Sequence, residues 1–136
     1  MSQENVEIIR RAFKEFSRGG WEPLMGTVWA PEIVWNMSPT GIPGLGTYRG
    51  FDELRSFFED WFSTFPFEEW EQAVDEVIDC GEQVVVLTRQ RGHGTASGAV
   101  AELEYAQVVK FRDRKVVHVD VYLDRSQALD AAGLRE

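Results

Sequence analysis

The chain has 136 residues, 43% hydrophobic and 27% charged, proportions that suit a soluble domain long enough to bury a core without staples. A net charge of −9 argues against a nucleic-acid partner, because no basic stripe is available to release counterions from phosphates. No apolar stretch approaches the ~20 residues of a membrane span, the opening MSQENVEIIRR lacks the apolar core of a signal peptide, and the lone Cys80 fits a reducing cytoplasm.

In chain order, Val6, Ile9, Phe13 and Phe16 recur at spacings of three and four, which predicts an amphipathic helix over Asn5–Ser17 stopped by Gly19-Gly20. Pro23–Trp29 predicts a second, short helix ending before Pro31, since proline is tolerated in a first turn. Glu32–Met37 (EIVWNM) is rich in strand formers. Next comes the glycine-rich GIPGLGTYRG. Its Gly44, Gly46 and Gly50 miss the dinucleotide fingerprint by one residue, and no Lys-Ser/Thr follows as a P-loop requires. Phe51–Phe62 predicts a third helix with Leu54, Phe57, Phe58, Trp61 and Phe62 on its apolar face.

After Pro66 the period changes to two. Trp70–Cys80, Gln83–Arg91, Val100–Phe111 and Lys115–Leu123 each alternate apolar and polar residues, separated by Gly81-Glu82, GHGTASG and Arg112-Asp113-Arg114. This pattern predicts an antiparallel meander preceded by helices, an α+β arrangement. A doubly wound nucleotide fold would need crossover helices between parallel strands, so the glycines are expected to shape a loop at a sheet rim and to hold no phosphate.

The succession of elements, together with Tyr48-Arg49-Gly50, the Arg89-Gln90-Arg91-Gly92 hairpin arm and Tyr122-Leu123-Asp124-Arg125 running into ALDAAGL, resembles the SnoaL-like branch of the nuclear-transport-factor-2-like and ketosteroid-isomerase-like superfamily. The resemblance spans nearly all of residues 1–136 as a single SnoaL-like domain. It implies a cone-shaped α+β fold, with three N-terminal helices packed on a strongly curved, mostly antiparallel sheet around one deep pocket. It also implies a homodimer formed sheet to sheet. The superfamily hosts isomerases, polyketide cyclases, hydrolases and non-catalytic binders, so the site has to decide among them.

The known chemistries of the superfamily match this chain poorly. In the ketosteroid isomerases a tyrosine and a protonated aspartate hold an enolate oxygen while a second aspartate moves the proton. Those positions fall on Phe13, Gln107 and Met37, or Asn36 if the strand slips by one. The base is therefore missing. In the limonene-epoxide-hydrolase-like members the arginine matches Arg89 and Asn36 is the candidate for the asparagine, but the two aspartates fall on Arg91 and Val121. For the SnoaL cyclases, the acid/base candidate is Asp120. Along VVHVDVYLD, Val117, Val119, Val121 and Leu123 share one face and His118, Asp120, Tyr122 and Asp124 the other. The apolar set is expected to face the core and the polar set the dimer surface; a one-residue bulge would turn Asp120 inward, with His118 beside it.

Arg89 and Arg91 share parity with Val85 and Leu87. On a concave face they would offer two guanidiniums to a carboxylate or enolate; on a convex face they would be solvated or at a dimer rim. His93 in its turn reads as a loop histidine, and with only two histidines and no ligand spacing no metal is expected. Asp60, Glu68 and Glu69 read as exposed, and Glu102 and Glu104 take the outward parity. The expected pocket is walled by Phe13, Trp35, Met37, Phe57, Trp61 and Val121, with polar groups from Tyr105, Gln107 and Arg89 and with Arg91 near the mouth. Asp120 and Arg89 are the candidate catalytic pair. The implied function is binding of a small apolar molecule, oxygenated or carboxylate-bearing, with cofactor-independent isomerase, cyclase or hydrolase activity as one outcome. The alternative is a non-catalytic binding or dimerisation module that lacks the catalytic carboxylates.

Overall fold

The computed structural model describes residues 2–67, 70–93 and 100–134. Glu68, Glu69, the side chain of His93 and the hairpin tip at 94–99 lie outside the described residues. Helix α1 (Ser2–Gly19) buries Ile8, Ile9 and Ala12, the i, i+1, i+4 stripe that an amphipathic helix turns to a core. It ends where Gly20 takes φ +76° and returns its N–H to the Phe16 carbonyl at 2.8 Å, a left-handed cap that favours glycine. The second helix expected from Pro23 is a single 3₁₀ turn, Glu22–Leu24. Trp29, expected to close that helix, instead opens strand β1 (Trp29–Asn36).

The glycine-rich loop runs through another 3₁₀ turn into β2 (Thr47–Arg49), which hairpins back on β1 antiparallel. It therefore joins two antiparallel neighbours and is not the strand-to-crossover turn of a nucleotide fold. Helix α2 (Gly50–Thr64) buries Leu54, Phe57 and Phe58, and Glu53 Oε1 accepts the Arg49 N–H at 2.8 Å, the returning arm of a capping box. Strands β3 (Glu71–Asp79), β4 (Gln83–His93), β5 (Val100–Arg112) and β6 (Lys115–Tyr122) follow as the antiparallel meander. Helix α3 (Arg125–Ala131) comes last, so two α-helices and two 3₁₀ turns precede the meander and a third α-helix closes the described chain.

The six strands form one curved sheet in the order β2-β1-β6-β5-β4-β3, with β1 and β6 parallel and every other pair antiparallel. Helices α1 and α2 pack on its concave face and α3 on its convex face. The result is an α+β cone with an open sheet. Two cores follow from this layering. The larger lies inside the cone, around Ile33, Leu54, Val84, Val86, Val109 and Val119; the smaller lies under α3, where Val85, Leu87, Ala106 and Val108 meet Ala128. No helix among the described residues is long and apolar enough to cross a membrane.

Candidate cavity inside the cone

Alternation along the strands decides which side chains enter the cone. On β5, Leu103, Tyr105, Gln107 and Val109 point inward; on β6, Val119 and Val121 do; on β4, Val84, Val86, Thr88 and Gln90 do. Between them and the helices lies a cavity of about 100 Å³. Phe13, Trp35, Met37, Phe57, Trp61 and Val121 are among its walls, together with Phe16, Phe58, Phe62 and Trp70. Packing among the aromatics is dense: Phe58 meets Trp29 in a stacked pair at 5.6 Å and Trp35 edge-on at 5.5 Å.

The polar part of the lining is uncharged. Thr40, Gln72, Gln90, Tyr105 and Gln107 supply it, and no carboxylate, imidazole or guanidinium lines the cavity among the described residues. Gln107 is only 7% exposed, lies between Val86 and Val121 in the ladder, and has no hydrogen-bond partner for its amide among the described residues. Tyr105, two residues earlier on the same face, has its phenol pushed up to about 12, mainly by burial, with a hydrogen bond to Thr88 offsetting part of the rise. The Thr88 hydroxyl also donates to the Tyr105 carbonyl at 3.2 Å. Trp35 turns its ring to the cavity, while its buried indole N–H has no partner among the described residues.

Arg89 and Arg91 do not join this lining. They occupy the convex parity of β4 with Val85 and Leu87, and Gln90 between them takes the inward position. Arg89 chelates Asp75 through Nε (3.0 and 3.1 Å) and a terminal nitrogen (2.9 Å), and Arg125 reaches the other carboxylate oxygen at 2.8 Å. Asp75 is the extra residue of a β3 bulge between Val74 and Glu76. Hydrogen bonds from Arg125 and Arg89 hold its carboxyl below the usual range. Arg91 faces Glu102 at 3.5 Å on the same outer surface.

Asp120 also lies outside the cone, so it and Arg89 are neither in the cavity nor beside each other. Its Oδ1 accepts the Asn36 amide at 3.0 Å and meets His118 Nε2 at 2.9 Å; Asn36 Oδ1 in turn accepts the Thr47 hydroxyl and the Ser38 N–H, each at 3.0 Å. This network ties β1, β2 and β6 together on the convex face. The strand does carry a bulge, at Val117 between the Phe111↔Val116 and Lys110↔His118 pairs, but it precedes His118 and leaves Asp120 outward. Nearby Tyr122 has its phenol raised, by burial first and then by the Asp120 charge.

Sequence reasoning missed Gln72, Gln90 and Thr40 as lining. The available signal was the Arg-Gln-Arg alternation, which puts either the arginines or the glutamine inside. Apolar Val85 and Leu87 made the arginine face look inward, because the helix that covers them was not anticipated.

No curated protein matches this chain. Among solved structures, a protein of unknown function of the NTF2-like type from Burkholderia pseudomallei is 27% identical, covers 93% of this chain and 95% of its own, and superposes with a TM-score of 0.74. An NTF2-like protein from Burkholderia xenovorans is also 27% identical, over 97% of each chain, with a TM-score of 0.71. A candidate SnoaL-like polyketide cyclase from Jannaschia sp. CCS1 shares the fold at 20% identity, with 99% of this chain and 95% of that one covered and a TM-score of 0.76. The SnoaL-like domain model matches residues 9–119, a span from α1 into β6 that carries all of the cavity lining except Val121 and Leu123. The chain is a member of the SnoaL-like domain family.

Proposed function

We propose that this protein binds a neutral, largely apolar small molecule bearing a carbonyl or hydroxyl oxygen, held inside the cone by Gln107 and Tyr105. The observation that carries the reading is the character of the lining: among the described residues, aromatic and aliphatic walls are interrupted only by uncharged amides and hydroxyls. The Gln107 amide faces the cavity without a protein partner among the described residues, so a ligand oxygen that accepts from it adds a hydrogen bond worth about 0.5–1.5 kcal/mol net. With its phenol pushed up to about 12, Tyr105 stays protonated at neutral pH and is a second donor. A carboxylate-bearing ligand is disfavoured, because the two guanidiniums that would have paired with it lie on the other side of the sheet.

Catalysis of the isomerase, cyclase or hydrolase kind needs a base at the reacting atom, and the described lining offers none. The same site is therefore read as a binding site within a single SnoaL-like domain, working in the cytoplasm and without a cofactor. A homodimer belongs to this reading, through the convex surface around Asn36, His118 and Asp120 that α3 leaves uncovered.

Calorimetry with acetophenone and benzoate, one-ring probes matched to the small cavity, tests the binding reading. The ketone is expected to bind at least ~10-fold more tightly than the carboxylate, about 1.4 kcal/mol. Gln107→Leu should erase that margin by weakening the ketone about tenfold, and Arg89→Ala should leave it unchanged. Tighter binding of the benzoate, or loss of ketone binding in Arg89→Ala, would overturn it.

A further inference from the structure

Gly92 continues the inward set of β4 after Thr88 and Gln90, yet it contributes no side chain. Its backbone has no positive φ, so conformational freedom does not explain a glycine here. The space above it does. A Cβ on Gly92 would lie 2.8 Å from Trp70 Cε3, a distance that real Cβ atoms essentially never show, and a tight 3.0 Å from Cζ3. The Trp70 indole thus lies against the bare strand. On its other sides it meets Trp61 and Phe62 edge-on at 5.8 and 5.4 Å, and Phe65 at 6.1 Å. Its N–H donates to Gln72 Oε1 at 3.3 Å. Trp70 itself lines the cavity.

We infer that Trp70, seated on Gly92 and pinned by Gln72, is the wall that sets the size of ligand the cavity accepts. This rests on the binding reading above and adds a specificity determinant to it. A ligand that extends past Gln90 toward this end of the cone meets a ring that can move neither back into the strand nor into the packed aromatics of α2. A methyl on Gly92 displaces the indole from its seat and so shrinks or reshapes that end. Removing the indole lengthens it by roughly one aromatic ring.

The test uses cyclopentanone, acetophenone and 2-acetylnaphthalene, ketones of rising size, titrated calorimetrically into the full chain. The native protein is expected to bind acetophenone at least tenfold better than 2-acetylnaphthalene, which exceeds the small cavity. Trp70→Ala should raise the 2-acetylnaphthalene affinity about tenfold or more. Gly92→Ala should weaken acetophenone about tenfold while sparing cyclopentanone, and should have no such effect in a Trp70→Ala background, where its methyl meets no ring. Trp70→Phe, which keeps a ring among Trp61, Phe62 and Phe65 but shortens it, should give part of the same gain for the larger ketone and carries the test if Trp70→Ala or Gly92→Ala does not fold. Binding of the ketones with the same size preference in native, Trp70→Ala and Gly92→Ala proteins overturns the inference and leaves the binding reading intact. Binding of no ketone to the native protein overturns the binding reading and this inference together.

Discussion

Tyr105 and Asp120 show how a single side chain's chemistry depends on the face of the sheet it occupies. Tyr105, inside the cone, has its phenol pushed up to about 12 because burial penalises the phenolate. Its folded value lies above the ordinary one, so the stability it contributes is full below about pH 10 and falls as pH rises to about 12. The loss amounts to about 2–3 kcal/mol. An ultraviolet titration of the folded protein should show one of the three tyrosines ionising last, near pH 12, and Tyr105→Phe should remove that step and flatten the alkaline decline. Asp120, outside, spends its carboxylate on Asn36 and His118, and its role is to join strands. At this scale β6 was legible, since Val121 alternates with Asp120 and Tyr122; Gln107 was placed by the family resemblance, because Ala106 and Val108 on either side of it are apolar and parity alone does not turn it inward. Arg89 and Arg91 were not legible, because β4 is apolar on both faces beside them and parity alone cannot say which apolar set is the core.

Among the elements, α3 is the one whose attachment is most specific. Asp124 caps it by accepting from the Ser126 and Gln127 N–H groups at 2.8 and 3.3 Å, and Ala128 is fully buried on the convex sheet. Arg125, in its first turn, reaches Asp75 on β3 and, at 3.4 Å, the Thr88 carbonyl on β4. Since Asp75 is held below the ordinary carboxylate range, this clasp is intact above about pH 4 and is lost as pH falls through the lowered value. Hydrogen exchange across an acid series should show α3 amides losing protection before those of β5. In Asp75→Asn, α3 should exchange faster at neutral pH and show no further change of its own on acidification. The long, strongly periodic elements α1, α2 and β3 to β6 were readable from sequence because each has enough residues to display a period. Three residues of β2 and seven of α3 display none, and the Pro23 segment had a helix-starting residue but only one turn to follow it.

At the scale of the whole molecule, the convex sheet is shared between α3 and the uncovered polar patch of Asn36, His118 and Asp120. Val108, on the outward parity expected of a dimer contact, is instead 2% exposed beneath α3. Sedimentation at micromolar concentration should therefore give a dimer that His118→Glu, which sets a second carboxylate against Asp120, shifts toward monomer, with the ketone affinity of each protomer preserved. A native protein that sediments as a monomer removes the dimer from the reading. The sheet order was outside the reach of sequence patterning, because nothing local announces that the first long strand pairs with the last. That pairing has a kinetic consequence. Asn36 and Asp120 are 84 residues apart, so β1, with Trp29, Ile33 and Trp35, has only the short β2 to pair with until almost the entire chain has left the ribosome. Closing so long a loop is entropically slow and must precede the contacts that reward it. During synthesis this tryptophan-rich strand is the segment most exposed to mispairing, and a chaperone that shields it would act from the first third of the chain until β6 arrives.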